Sequence, residues 1–542
     1  MVPTDRVALS NMQVEKEVRS EDGKTKEVVF GVSPIMSTYL LAFVVGELDY
    51  IEGHTSDGVL VRVYTPLGES EKGRFALDVG IKTLTILSEY FDEKYPLPKL
   101  DMVAIPDFSA GAMENWGLVT YRTMYLLYDE KESSLDAKQN IAYIVGHELA
   151  HQWFGNLVTM EWWTDLWLNE GFATWVGWMV VDKIFPEWNI WTQFLINEQH
   201  LGLKLDGMRS SHPIEVDVKN PAEIGQVFDA ISYSKGACII RMLVNFLGFD
   251  IFLKGVRSYL KKHKYGNAAT KDLWASLSEA SGQNVPEFMN AWTRRTGYPV
   301  VTLESTGSHD GSLRATQSRF LASGRPQSDD DKELWWVPLA PTTDAGPETA
   351  QVLLKERQAT IPFRKDRKFL KLNTNQNGFY RVAYPEEDLV HLKQALASKQ
   401  LGDSDRVGLV NDAFALAFGG YSSTTNALSL LQAYRDEPNF VVWDDIYSSL
   451  ATLNSLLSEQ PEEVRNRLKA FIRSLFGPLA KRLTWSYPEN ESFNDTSLRG
   501  VRQLLLFSPL LYLFNPPISF FSLAVIAGYP GSRSRRRSGG GG

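Results

Sequence analysis

The residues best able to do chemistry in this chain are two histidines four apart, in His147-Glu148-Leu149-Ala150-His151. On a helix this spacing puts both imidazoles on one face, one turn apart, where both can reach a single tetrahedral Zn²⁺. Apolar residues recur at helical spacing from Ile141 to Phe154, and Gly155 offers a stop, so a helix is predicted there. Glu148 lies one step round from His147 and can address a water without binding the metal itself. A hydrolytic zinc needs a third protein ligand and one open position. Glu170 is the candidate, following His151 after eighteen intervening residues, in Leu168-Asn169-Glu170-Gly171-Phe172-Ala173. Trp167 to Val181 is predicted as a second apolar helix, ended by Pro186. Two packed helices would complete a His₂Glu set for one zinc ion per chain. The bare HExxH pattern also arises by chance, with both histidines capping or packing. The second glutamate at a fitting distance is what favours a ligand set.

The chemistry such a set predicts is hydrolysis. Zinc would lower the pKa of a water toward ~7. Glu148 would take the proton and return it to a leaving amine. The resulting oxyanion would need zinc and one further donor.

A second segment, Gly111-Ala112-Met113-Glu114-Asn115-Trp116-Gly117, lies between strand-like runs. Gly111 and Ala112 would let a peptide backbone approach closely along a strand edge. Glu114 could then offer its carboxylate to a free α-ammonium. On residue types alone, an ordinary turn with a surface glutamate is the stronger reading.

These residues need a frame. Residues 27–52 and 59–65 read as strands, including a run from Tyr39 to Val45; Phe75 to Tyr90 reads as a helix; residues 101–128 return to strand. A long helical stretch follows, about 136–295. Residues 299–384 are rich in Thr, Val and Pro, as in a small β-sandwich. Helical periodicity dominates from Pro385 onward, for example in Val407 to Phe418 and Asp444 to Leu457.

Taken together, GAMEN, HELAH and the NEGFA glutamate resemble the M1 family of zinc aminopeptidases, the gluzincins. The resemblance continues through Val145 to Thr159 and Phe228 to Ala237, and family-like text runs from about Asp5 to Arg502. It is nearest to a cytosolic member of broad specificity. It implies that His147, His151 and Glu170 bind zinc and that Glu148 is the general base. Tyr233 would donate its hydroxyl to the oxyanion, a role nothing in its own sequence context suggests. Gly111, Ala112, Met113, Glu114 and Asn115 would bind substrate, with Glu114 on its amino terminus. The implied fold is multidomain α+β. A remnant of an N-terminal β-domain (1–52) would precede a thermolysin-like catalytic domain (53–297). A β-sandwich (298–385) and a partial, solenoid-like helical domain (386–502) would follow, then a divergent tail (503–542). Against the family pattern the chain is expected to be cut at both ends, which leaves an alternative: a weak or inactive peptide-binding fragment.

Composition bounds the partners. Among 542 residues the net charge is −9, so no basic field favours nucleic acid. The single cysteine, Cys238, and a start without an apolar signal core point to a reducing compartment, the cytoplasm. Gln503 to Tyr529 is uncharged and long enough to span a bilayer, but Pro509, Pro516 and Pro517 interrupt it. It is expected to be a divergent chain end rather than a membrane anchor. The expected partners are peptides with a free N-terminus; the sequence does not set the oligomeric state. The other histidines (His54, His200, His212, His263, His309 and His391) lack ligand spacing and read as structural or exposed.

Overall fold

The molecule is described by a computed structural model covering residues 1–306, 311–348, 352–483, 488 and 491–507, with backbone alone for 502–507. The apolar run predicted at 503–529 lies almost wholly outside the described residues. Among the described residues, no single helix is long and apolar enough to cross a membrane.

The centre is a mixed five-stranded sheet, in the order Leu48–His54, Leu60–Pro66, Lys99–Ile105, Leu118–Arg122, Ala112–Met113. Its inner strand Lys99–Ile105 pairs in parallel on both sides, Val63 opposite Met102 and Thr120 opposite Val103. All but one of its residues are buried, as expected of a strand covered on both faces. Ala112–Met113 is the edge strand, antiparallel to Leu118–Arg122 with Thr120 opposite Met113.

Three helices pack beside the sheet: α1 (Arg74–Phe91), α2 (Leu135–Ala150) and α3 (Trp167–Ile184). α2 begins six residues before the predicted Ile141, because Ser134 caps it by accepting from Ala137 N at 3.1 Å. α2 ends at Ala150, and Gly155 follows at φ +132°, a conformation that side chains rarely adopt. From Trp167 to Val181 every residue of α3 is buried, so its sequence is apolar all round rather than striped.

Glycines set how closely the helices approach. A Cβ on Gly177 of α3 would lie 3.1 Å from His147 N of α2, and one on Gly146 would lie 3.2 Å from Gly177 O. Gly171 of α3 meets Gly236 in the same way, at 3.1 Å. Gly236 opens the helix Gly236–Leu247, directly after a π-helical turn, Ile231–Lys235.

Two expectations need correction. Tyr39 to Val45 does not form one strand: Thr38–Leu40 is a 3₁₀ turn, and the strand is Phe43–Gly46, paired with Val7–Ser10. The cause is Asn11, whose amide donates to Leu40 O and Trp116 O and accepts from Ala42 N, pinning the segment onto the sheet. The stretch 136–295 is also not purely helical. Val158–Met160 and Gly266–Ala268 pair in parallel within it. Three-residue strands carry too little alternation to show against helical surroundings.

Beyond residue 298, a four-stranded sheet is built on Pro299–Ser305 and Leu313–Arg319, with Gln358–Ile361 and Arg381–Ala383 outside them. Helices then succeed one another from Glu386–Ala397 to Phe493–Phe507. The predicted Val407–Phe418 and Asp444–Leu457 appear as Asp403–Phe418 and Phe440–Leu456. Arg381 joins this sheet to the helices through Asp412 (2.9 Å), and Lys371, on a strand of a neighbouring three-stranded sheet, pairs with Asp405 of the same helix (2.6 Å).

Candidate active site

The last turn of α2 carries His147 and Glu148, and His151 follows at its C-cap. Glu170 comes from the first turn of α3. The closeness of the two helices at Gly146 and Gly177 makes the four residues meet. His147 Nε2 and His151 Nε2 are 3.1 Å apart, and Glu170 Oε2 lies 3.5 Å and 3.4 Å from them. All three ligand candidates are buried. His151 Nδ1 is 3.0 Å from Phe154 O, which can only accept. Nδ1 therefore carries the proton in the neutral ring, leaving the Nε2 lone pair facing the cluster.

Glu114 and Glu148 reach the same hollow, and with His151 they form a second group of converging ligand atoms. Oε2 of Glu148 and Oε2 of Glu170 are buried without a hydrogen-bond partner. Among the described residues no lysine or arginine ion pair reaches Glu114, Glu148 or Glu170; the charges felt there are those of each other and the histidines. Three buried carboxylates and two imidazoles make a hollow in which a dication would offset two of the three negative charges, and the His₂Glu donor set suits zinc.

The electrostatics follow. Burial disfavours charge on His151, but Glu114 and Glu170 outweigh that and lift it to about 10. Burial also raises Glu170, yet His151 and His147 hold it down at about 2. Burial first, then the neighbouring His151, lowers His147; burial first, then the charges of Glu114 and Glu170, drives Glu148 well above the carboxylate range.

Tyr233 lies across this hollow. Its ring stacks on that of His147, 6.0 Å between centroids and 9° between planes. Burial, then the charge of Glu170, pushes its hydroxyl far above the usual range, so it stays protonated. The residue sits on the π-helical turn Ile231–Lys235, whose start is fixed by Asp229 Oδ1 accepting from Ile231 N at 2.8 Å. Asp229 is in turn held by His212 Nε2 at 2.7 Å, so His212 is a structural histidine, as predicted. Lys235 is fully buried and paired with Asp206 at 2.8 Å.

The GAMEN segment divides. Ala112 and Met113 form the edge strand, and Gly111 O accepts from Arg122 N at 2.9 Å beside it. Glu114 turns its carboxylate inward, while its carbonyl accepts from Asn156 Nδ2 (2.9 Å) and Gln152 Nε2 (3.4 Å). Asn115 does not join the cluster; its amide donates to Thr120 Oγ1 (3.1 Å) and Leu118 O (3.2 Å), holding the turn. Gly117, at φ +79°, allows this turn, since a Cβ would sit 2.4 Å from Asn11 O.

Three residues at the site went unassigned in the sequence. Gln152 and Asn156 follow HELAH immediately, and proximity to that motif was the available signal. Tyr39, whose hydroxyl donates to Glu114 Oε1 at 3.5 Å, had none, being 75 residues away in sequence.

Residues 75–292 match the Peptidase family M1 domain and residues 369–508 the ERAP1-like C-terminal domain. The chain is 48% identical over 511 residues to Aminopeptidase M1-D of Oryza sativa subsp. japonica, covering 92% of this chain and 57% of that protein. It is 46% identical over 514 residues to Aminopeptidase M1 of Arabidopsis thaliana, covering 92% and 57%. For Aminopeptidase 2, mitochondrial, of Saccharomyces cerevisiae the identity is 46% over 491 residues, covering 91% and 51%. The chain spans about half the length of the curated relatives it matches. With its GAMEN, HELAH and NEGFA segments inside the matched domain, the chain belongs to peptidase family M1.

Proposed function

We propose that this chain is a zinc-dependent aminopeptidase that releases the N-terminal residue from peptides. The observation that carries the reading is Glu114, a carboxylate beside the His₂Glu cluster, next to an edge strand. An ammonium held by Glu114 leaves its own carbonyl carbon only about 2.5 Å away, so the first peptide bond is the one presented. A chain end, rather than a mid-chain peptide bond, is what such an anchor selects.

His147, His151 and Glu170 would hold the zinc, which supplies Lewis acidity for the carbonyl and the attacking water. The protein's own groups do the rest. Substrate backbone adds to the free edge of Ala112–Met113, and Gly111 leaves room for it. Glu148 takes a proton from the attacking water and passes it to the leaving amine. Tyr233, protonated throughout, donates to the oxygen that gains negative charge. Tyr39, Gln152 and Asn156 position Glu114. The lone cysteine, Cys238, buried and unpaired, supports a cytoplasmic setting.

The test uses the purified chain with zinc content measured on the same sample. Turnover of an aminoacyl-arylamide, no turnover of its N-acetylated counterpart, and loss of activity in Glu148→Gln are expected. A zinc-loaded, folded chain that binds peptides but cleaves none would overturn the reading.

A further inference from the structure

Glu198 takes no part in the chemistry above, yet it is 7% exposed and hydrogen-bonded on both oxygens. It lies on a π-helical turn, Leu195–His200. Its Oε1 accepts from Tyr143 Oη (3.3 Å) and Trp178 Nε1 (3.0 Å), and its Oε2 from Ser234 Oγ (2.7 Å). These donors come from three different elements. Tyr143 is on α2, one turn before His147, with ring centroids 6.0 Å apart. Trp178 is on α3, the helix that carries Glu170. Ser234 directly follows Tyr233 on the second π-helical turn.

The turn bearing Glu198 is itself fixed from outside. Gln199 Nε2 donates to Gln376 O (3.0 Å) and Gly378 O (2.8 Å). His200 Nδ1 is 3.2 Å from Asp445 Oδ1, on the helix Phe440–Leu456. Three consecutive residues thus bind the catalytic elements, the β-region and the helical region. A π-helical turn is a rare winding that needs outside restraint, and it recurs at functional sites. A buried carboxylate is tolerable only while its donors stay in place, so it holds them in one arrangement.

We infer that Glu198 is a positioning residue with divided duties. Oε1 sets the spacing of α2 and α3 behind the metal cluster, and Oε2 holds the π-helical turn that aims the Tyr233 hydroxyl. The kinetic half of this inference rests on the aminopeptidase reading; the metal half does not.

The experiment compares Glu198→Ala, Glu198→Gln and Ser234→Ala with the parent chain. Zinc affinity is read by chelator competition, the visible spectrum on cobalt(II)-substituted protein, and kcat and KM on an aminoacyl-arylamide. Supporting groups behind metal ligands typically change affinity or activity ~10–100-fold. Glu198→Ala should weaken zinc by about tenfold or more and shift the cobalt(II) band. Glu198→Gln, which keeps an acceptor for Tyr143 and Trp178, should restore both. Ser234→Ala should leave zinc affinity and the cobalt(II) band unchanged and lower kcat about tenfold with KM steady. If Glu198→Ala fails to fold, the other two variants still decide. Zinc affinity within twofold in Glu198→Ala would overturn the inference, as would a Glu198→Gln band displaced from that of the parent chain. Unchanged kcat in Ser234→Ala would remove the division of duties. A parent chain without turnover would sink the aminopeptidase reading and leave the metal arms to judge Glu198.

Discussion

Two seams in this molecule are built in opposite ways. Between α2 and α3 the backbones touch through Gly146 and Gly177, and charged groups converge on one buried point. Between the catalytic elements and the helical region, at Phe440–Leu456 and Phe493–Phe507, a cavity of about 600 Å³ remains. Asp136, Gln139 and Tyr143 line it from α2, and Asp444 and Ser497 from the far side. Asp444 there meets like charge, from Asp445 and Asp136, and burial first of all raises its carboxyl to about 6. The tight seam spends its charges on a ligand position. Among the described residues the loose seam surrounds Asp444 with like charge and gives it no cationic partner.

If the tight seam does the chemistry, the largest effect should come from within it. Glu148→Gln keeps shape and zinc content but removes the base, so kcat should fall roughly 10³-fold, about 4 kcal/mol of barrier. Equal kcat in the two proteins would detach the chemistry from this seam. Next, Gly177→Val would push against His147 N, 3.1 Å from the first added carbon. We expect about 3 kcal/mol of lost stability and substoichiometric zinc, read by thermal unfolding and metal analysis. Full zinc occupancy would mean that the glycine contact is not what sets the cluster.

Glu114→Gln tests the lip of the same seam. Losing a charge-assisted hydrogen bond to the ammonium should cost about 2 kcal/mol, a roughly 30-fold fall in kcat/KM for a free-amine substrate. Zinc affinity would barely change, because Glu114 is not in the His₂Glu set.

The smallest effect belongs to the loose seam and depends on pH. Because Asp444 has a folded pKa raised from 3.8 to about 6, its contribution to stability is present below pH 3.8 and lost as pH rises through 6. Asp444→Asn should therefore raise the unfolding temperature above pH 7, by the equivalent of roughly 2 kcal/mol, and leave it unchanged near pH 4. A gain that is the same at both values would point to packing instead of charge.

The candidate metal ligands were legible because they lie on two helices with regular spacing. His147 to His151 is one helical turn, and helix geometry converts that spacing into a shared face without tertiary information. Glu170 needed only that the second helix pack on the first. Glu114 was half legible. Its residue type was right, but on residue types alone an ordinary turn explained it better until Asn156, Gln152 and Asn11 were seen to fix that turn. Tyr233 was reached through family resemblance alone, since its placement depends on a π-helical turn that periodicity does not reveal. Tyr39 and Glu198 were not legible at all. Each works through contacts to residues dozens of positions away, and Tyr39 was read into a strand that Asn11 breaks.

By itself the sequence determined the donor types, their helical spacing and the hydrolytic metal chemistry they suit, because these depend on local geometry. It also placed the glycines at Gly146, Gly171 and Gly177, without saying what they would touch. Tertiary structure alone decided that those glycines meet other helices, that Glu114 turns inward while Asn115 turns away, and that one buried carboxylate on Glu198 joins three catalytic elements. Such choices rest on long-range packing and hydrogen bonding, where each partner is fixed only once the others are in place.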